Sequence, residues 1–186
     1  MAVNRATKAL KFESRNQILN AGIKCVFISH QKADRAEAKE IADFLLSLDV
    51  DVYFDEYDEN LKFKYQDTNP KLVTNAILDG INNSSHMLVL VSPNTLNSKW
   101  VPFEIGYGYD KTDVKALSLA GIPKGTLPEY LRSVDVIRDI DDLNNIATYL
   151  SGKSKEFLFE SRKMLNYDSR SHPLKGVMDS VVNDSY

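Results

Sequence analysis

The feature that most constrains this chain is a repeated switch between two periodicities. Short, continuous apolar runs alternate with stretches whose apolar residues recur every three or four positions. Lys24-Cys25-Val26-Phe27-Ile28-Ser29 and His86-Met87-Leu88-Val89-Leu90-Val91 are apolar almost throughout, as strands covered on both faces are. Between them, Ile41, Phe44, Leu45 and Leu48 fall at helical spacing behind Asp34 and Glu37, which resemble a capping pair and predict a helix over 34–48. Val50, Val52 and Phe54 alternate with Asp51, Tyr53 and Asp55, the pattern of a second strand. Asn69-Pro70 opens another helical stretch carried by Val73, Ala76, Ile77, Gly80 and Ile81. Val114 to Leu119 reads as a fourth strand, Val134, Val136 and Ile137 as a fifth, and Leu143, Ile146, Ala147 and Leu150 as a helix behind it. Strands and helices alternating at this spacing imply right-handed crossovers. The predicted fold class is therefore α/β, a flavodoxin-like five-stranded parallel sheet with helices on both faces.

The pattern is weaker at both ends. Residues 1–22 read as a polar, mildly helix-prone N-terminal extension with Leu10, Phe12, Ile18 and Leu19 as anchors. Residues 23–152 hold the α/β domain. Residues 153–186 read as a helical C-terminal extension, with one helix on Phe157, Leu158, Met164 and Leu165 and another on Leu174, Val177, Met178, Val181 and Val182. Its apolar face needs a surface, and the domain's own is preferred to a partner's. Between the second strand and the second helix lies a polar loop over 55–69, a length usually reserved for functional or disordered segments.

Composition removes several function classes. The 186 residues suit one domain rather than two, and an apolar share of 43% is enough for a packed interior. Against 26 acids stand 23 Lys and Arg, a net charge of −3, with no basic run to track phosphates, so no nucleic-acid partner is expected. The single cysteine, Cys25, allows no internal disulfide and no cysteine zinc cage, which suits a reducing compartment. With no apolar signal core and no bilayer-length stretch, the reading is cytoplasmic, without a membrane partner. Gly106-Tyr107-Gly108 lacks the third glycine of a dinucleotide fingerprint, and no Walker-type phosphate loop occurs. His30, His86 and His172 are dispersed, so no metal is expected. Ser29 and His30 are adjacent without an obvious orienting acid, poor ground for a serine hydrolase.

What remains is Asn97-Ser98-Lys99-Trp100-Val101-Pro102-Phe103-Glu104, just beyond the third apolar run. Pro102 is harmless only in a first helical turn, so a helix begins near Lys99 or later, and Trp100 and Glu104 then share a face. A carboxylate at the mouth of a parallel sheet, one turn from a large aromatic, can hold a sugar while a base stacks nearby. The same acid can instead complement a helix dipole, and the tryptophan can be a core anchor.

In chain order, Val26-Phe27-Ile28-Ser29-His30 with Asp34, Val52-Tyr53-Phe54-Asp55-Glu56, Val89-Leu90-Val91-Ser92-Pro93-Asn94, and Ser98-Lys99-Trp100 with Glu104 resemble the Toll/interleukin-1 receptor (TIR) domain family over about residues 24 to 150. The resemblance implies a five-stranded parallel sheet wrapped by helices. It also implies, as in many bacterial, plant and some animal members, cleavage of NAD at the nicotinamide glycosidic bond, with Glu104 as the catalytic residue. By the same resemblance Trp100, Ser29, His30, Gln31 and Asp55 lie at the substrate cleft, NAD is substrate rather than cofactor, and TIR contacts build a homo-oligomer. Similar proteins in bacterial defence systems such as Thoeris make cyclic or otherwise modified ADP-ribose signals read by a downstream effector. The chain departs from the family's signalling members in lacking the proline-glycine pair of the loop over 55–69, and its tail beyond 150 has no counterpart in the core domain. Two other functions remain open at this stage: a non-catalytic TIR adaptor acting through homotypic contacts, and a nucleoside deoxyribosyltransferase-like enzyme.

Overall fold

The structure is a computed structural model that describes residues 2–6, 22, 24–54, 70–120, 122, 127–161 and 172–178. Five strands, β1 (Cys25–Ser29), β2 (Asp51–Tyr53), β3 (His86–Val91), β4 (Asp113–Ser118) and β5 (Asp135–Ile137), form one sheet in the order β2-β1-β3-β4-β5. Every pairing is parallel. The helices are α1 (Arg35–Ser47), α2 (Pro70–Asn82), α3 (Trp100–Gly108), α4 (Ile140–Ser151) and the short α5 (Lys155–Glu160).

The continuous apolar runs are explained by burial on both faces. Val26, Ile28, Leu88, Leu90 and Leu117 pack with Ile41 and Leu45 of α1 and Leu143 and Ala147 of α4. The alternate positions Phe27, Met87, Val89, Val91 and Ala116 pack with Ile81 of α2 and Val101 and Ile105 of α3. Each fully buried aliphatic side chain of this kind contributes about 1.5–3 kcal/mol by removal from water. Local signals set the helix limits. Pro70 starts α2, the Asp139 carboxylate caps α4 by accepting from the Asp142 N–H at 2.9 Å, and Gly152, at φ 67°, ends α4.

β1 leads into α1 on one face, and β3 leads through residues 92–99 into α3 on the other. The two connections therefore diverge between adjacent strands. That divergence leaves a crevice beyond the carboxyl ends of β1 and β3, where open α/β sheets bind ligands.

The first helix expected in the tail is present as α5, but residues 2–6 and 172–178 differ from the sequence expectation. The described part of the N-terminal segment is extended rather than helical: Asn4 bridges Val52 in parallel, with Val52 N–H donating to Val3 O at 3.2 Å and Arg5 N–H to Val52 O at 2.8 Å. β2 is the last strand of the sheet, and satisfying its outward backbone groups outweighs weak local helix propensity. Arg5, buried, locks the segment by donating to Asp51 Oδ2 at 2.7 Å and to Asn83 O at 3.2 Å. The anchors Leu10, Phe12, Ile18 and Leu19 lie outside the described residues.

In the tail, residues 172–178 form turns with a Lys175–Met178 bridge, not the helix predicted there. Gly176 has φ 98°, which no α-helix accommodates. The expected burial on the domain itself is nevertheless present, because Leu174, Val177 and Met178 join the α1–α4 core and Ala120 N–H donates to Val177 O at 2.9 Å. In α5, Leu158 is buried and Phe157 exposed, whereas Met164, Leu165, Val181 and Val182 lie outside the described residues.

Candidate functional site

Ser29 is the last residue of β1 and Glu104 lies one turn inside α3. Across the crevice the Ser29 hydroxyl donates to Glu104 Oε2 at 2.5 Å, with the two residues only 1% and 7% exposed. α3 begins at Trp100, after Ser98 Oγ accepts the Val101 N–H at 3.2 Å, and Pro102 falls in the first turn as expected. Glu104 lies beyond that turn, where the helix dipole has largely faded. Complementing the dipole therefore does not account for this carboxylate. A buried acid held by a hydroxyl from another element is a built feature.

Glu104 lines a cavity of about 180 Å³, with Ser29 behind it. Trp100 stands at its edge, 41% exposed, so it is not a core anchor; its ring meets Phe103 edge to face at 6.0 Å and 83°. His30 and Gln31 line the cavity from the β1–α1 connection. The His30 ring lies 5.3 Å from that of Phe54, and its Nδ1 is 3.3 Å from the Ile28 carbonyl. Gln31 Oε1 accepts the Ala33 N–H at 2.5 Å, capping the short turn Lys32–Asp34. Opposite stands an apolar wall of Val73, Ala76 and Ile77 from α2, beside Phe27 and Tyr53, whose rings stack at 5.9 Å. Gly80 permits that approach, because a Cβ there would lie 2.6 Å from the Tyr53 ring. The result is an aromatic edge, an apolar wall and one buried carboxylate. Such a cleft suits a flat aromatic group joined to a hydroxyl-bearing ring.

Of the residues singled out from sequence, Glu104, Trp100, Ser29, His30 and Gln31 meet at this crevice, and Asp55 lies outside the described residues. Tyr53 and the α2 wall were legible only as core or strand positions, since periodicity cannot say which apolar faces stay uncovered. Asp34 departs from its expected part as well: it stands at the N-cap of α1 but makes no side-chain cap bond. Its carboxylate instead accepts from Ser92 Oγ at 2.5 Å and from Asn94 Nδ2 at 2.6 Å.

The other chemistry-bearing residues lie elsewhere. His86 opens β3 at the strand end opposite the crevice, and burial lowers its pKa. His172 belongs to the docked tail, its pKa likewise lowered by burial. Among the described residues no group of three metal-ligating side chains occurs. Burial pushes the Cys25 thiol up to about 12, which leaves it inert as a nucleophile. Gly108 serves packing, since a Cβ there would meet Met87 Sδ at 2.7 Å. No helix among the described residues is long and apolar enough to cross a membrane.

The profile of the family described as TIR domain matches residues 26–146, well over half of the chain and spanning the sheet from β1 into α4. The chain belongs to the TIR domain family. Among solved structures, the TIR fold here is similar to the crystal structure of the TIR domain of the Toll-related Receptor TRR-2 from the lower metazoan Hydra magnipapillata, at 18% identity and a TM-score of 0.49, covering 75% of this chain and 98% of that one. Comparison with curated proteins finds no match. The matched stretch of this TIR domain contains Ser29, Asp34, Ser92, Trp100 and Glu104, and excludes residues 2–6 and the tail docked through Leu174 to Met178.

Proposed function

We propose that this TIR domain is an NAD glycohydrolase or ADP-ribosyl cyclase that breaks the nicotinamide N-glycosidic bond. The observation that carries the reading is the buried Glu104 carboxylate, held by Ser29 in the crevice of the sheet beside the exposed edge of Trp100. A single carboxylate is enough for this chemistry. Most glycosidases need a second, because an alkoxide leaving group must be protonated. Nicotinamide in NAD is a cationic pyridinium: when its bond to the ribose C1′ breaks, the electron pair neutralises the ring nitrogen and the leaving group departs without a proton. Positive charge develops on the ribose, where a fixed anion stabilises it. Trp100 offers a face for an aromatic ring of the substrate, and Ser29 holds the carboxylate in place. Water at C1′ gives ADP-ribose and a proton. An adenine nitrogen or a ribose hydroxyl in its place gives a cyclic product, provided the cleft excludes water.

An ADP-ribose-derived product fits a signalling role in antiviral (antiphage) defence, with a second protein sensing it and homotypic TIR contacts switching the enzyme on. The second reading is a non-catalytic adaptor working through such contacts. It is favoured by the exposure of both Trp100 and Phe103, a pair able to serve as a contact surface. A nucleoside deoxyribosyltransferase-like activity uses the same kind of crevice on nucleosides and is separated by substrate choice.

The test incubates the purified chain with NAD over a range of protein concentrations and separates the products by chromatography and mass. A Glu104→Gln variant, which keeps an oxygen to accept from Ser29, runs beside it. Nicotinamide release by the native protein and a loss of about 10²–10³ in kcat for the variant are expected. No release under any assembly-promoting condition, or an equally active variant, overturns the assignment, and cleavage of nucleosides but not NAD selects the transferase-like reading.

A further inference from the structure

Two buried carboxylates cross the crevice in opposite directions. Glu104, from the β3–α3 side, reaches Ser29 at the end of β1; Asp34, from the β1–α1 side, reaches Ser92 and Asn94 beyond the end of β3. Asp34 and Ser92 are each 4% exposed. Ser92 Oγ donates to Asp34 and accepts the Asn94 N–H at 3.0 Å, so a shift of the carboxylate is felt by the whole turn. From there an unbroken set of hydrogen bonds leads to α3. Thr95 N–H donates to Ser92 O at 3.1 Å, Asn97 N–H to Asn94 O at 3.1 Å, Ser98 N–H to Thr95 O at 3.0 Å, and Val101 N–H to Ser98 Oγ at 3.2 Å. Trp100 and Glu104 sit at the far end of that relay.

We propose that Asp34 is a positioning residue: with Ser92 and Asn94 it latches the two diverging connections, and so sets where the first turn of α3, carrying Trp100 and Glu104, stands relative to Ser29. The latch explains why an acid at a helix N-cap leaves the cap unmade. Its consequence for turnover rests on the glycohydrolase reading, but the latch itself is measurable without substrate, because Trp100 is the only tryptophan in the chain. Its emission and its quenching by acrylamide report the crevice edge directly.

Asn94→Asp sets a second carboxylate against Asp34 where the amide now donates at 2.6 Å. The double variant Asp34→Asn with Asn94→Asp restores one amide facing one carboxylate, with the donor direction reversed. The single Asn94→Asp change is expected to alter Trp100 emission and raise its quenching, and to lower kcat for nicotinamide release by about tenfold or more, with the swap recovering most of both. Ser92→Ala, which removes the hydroxyl that donates to Asp34 and accepts the Asn94 N–H but changes no charge, supplies a milder variant, with a smaller shift in the same direction. Unchanged Trp100 emission and quenching in folded Asn94→Asp and Ser92→Ala proteins overturn the latch, as does a double variant no closer to the native protein than the single. If the native protein releases no nicotinamide, the fluorescence arm alone still decides the latch while the glycohydrolase reading fails separately.

Discussion

Ser29→Ala is the sharpest perturbation of the site, because it removes one oxygen and leaves every other group in place. The Ser29 hydroxyl donates to Glu104 at 2.5 Å, and both residues are nearly inaccessible to water. A hydrogen bond to a charged group contributes about 1.5–3 kcal/mol. If the bond is equally strong in ground and transition states, the loss appears as lower stability; if it holds Glu104 in its reacting position, the loss appears in kcat. At 1.4 kcal/mol per factor of ten, the same 1.5–3 kcal/mol corresponds to a fall of about 10- to 150-fold. The assay is initial-rate nicotinamide release across NAD concentrations, paired with thermal melting. The expected result is a kcat lowered within that range and a KM changed less, because Trp100, the face proposed for the substrate's aromatic ring, is untouched. Ser29→Thr, which keeps a hydroxyl, should retain more activity than Ser29→Ala. A Ser29→Ala protein with kcat within about twofold of native, at unchanged melting temperature, refutes the reasoning, since a lost charge-assisted bond of this kind cannot be silent in both.

Trp100→Ala should weaken NAD binding, read as a raised KM, while shifting the melting temperature little, because the side chain is 41% exposed; a buried tryptophan would cost about 3–5 kcal/mol. Arg5→Ala should destabilise the domain, measured by denaturant unfolding. It strands Asp51, although that carboxylate keeps the Val3 N–H at 2.9 Å and some solvent contact, so the cost falls at or below the low end of about 3–5 kcal/mol. Stability should fall with acid: burial lowers the pKa of both His172 and His86, so their contribution is complete above the ordinary value near 6.5 and is lost as pH drops below it toward the lowered native values. His172 Nδ1 accepts the Leu174 N–H at 3.1 Å, and protonation there abolishes the acceptor. His172→Asn, which keeps an acceptor without titrating, should therefore lose less stability than native protein between neutral pH and about pH 5.5 in unfolding titrations.

How far the fold is legible in the sequence can be seen element by element. β3 is predicted at 86–91 and found at His86–Val91, and the helix opened by Asn69-Pro70 begins at Pro70. Those elements announce themselves through local causes: two-face burial of a continuous apolar run, and a proline tolerated only in a first turn. The failures come where a distant partner overrides the local pattern. Residues 2–6 are recruited to the open edge of β2, and the apolar spacing around Leu174 and Val177 is folded into turns by Gly176 and by docking beside β4. Asp34 looks like a cap because a cap is the local use of an acid before a helix, whereas its partners lie 58 and 60 residues away.

Between β1 and α4 the sequence by itself determined the kind and order of the elements, the parallel sheet they must make, and the separation of Trp100 and Glu104 by one turn of one helix. All of these depend on periodicity and on neighbours within a few positions. Only the tertiary structure decided that β1 lies beside β3, that Ser29 therefore reaches a carboxylate 75 residues away, and that Trp100 stands at the edge of the crevice rather than in the core. Strand order and register are set by packing both faces of the sheet at once. The partner of a buried polar group follows from that packing, and no local pattern carries it.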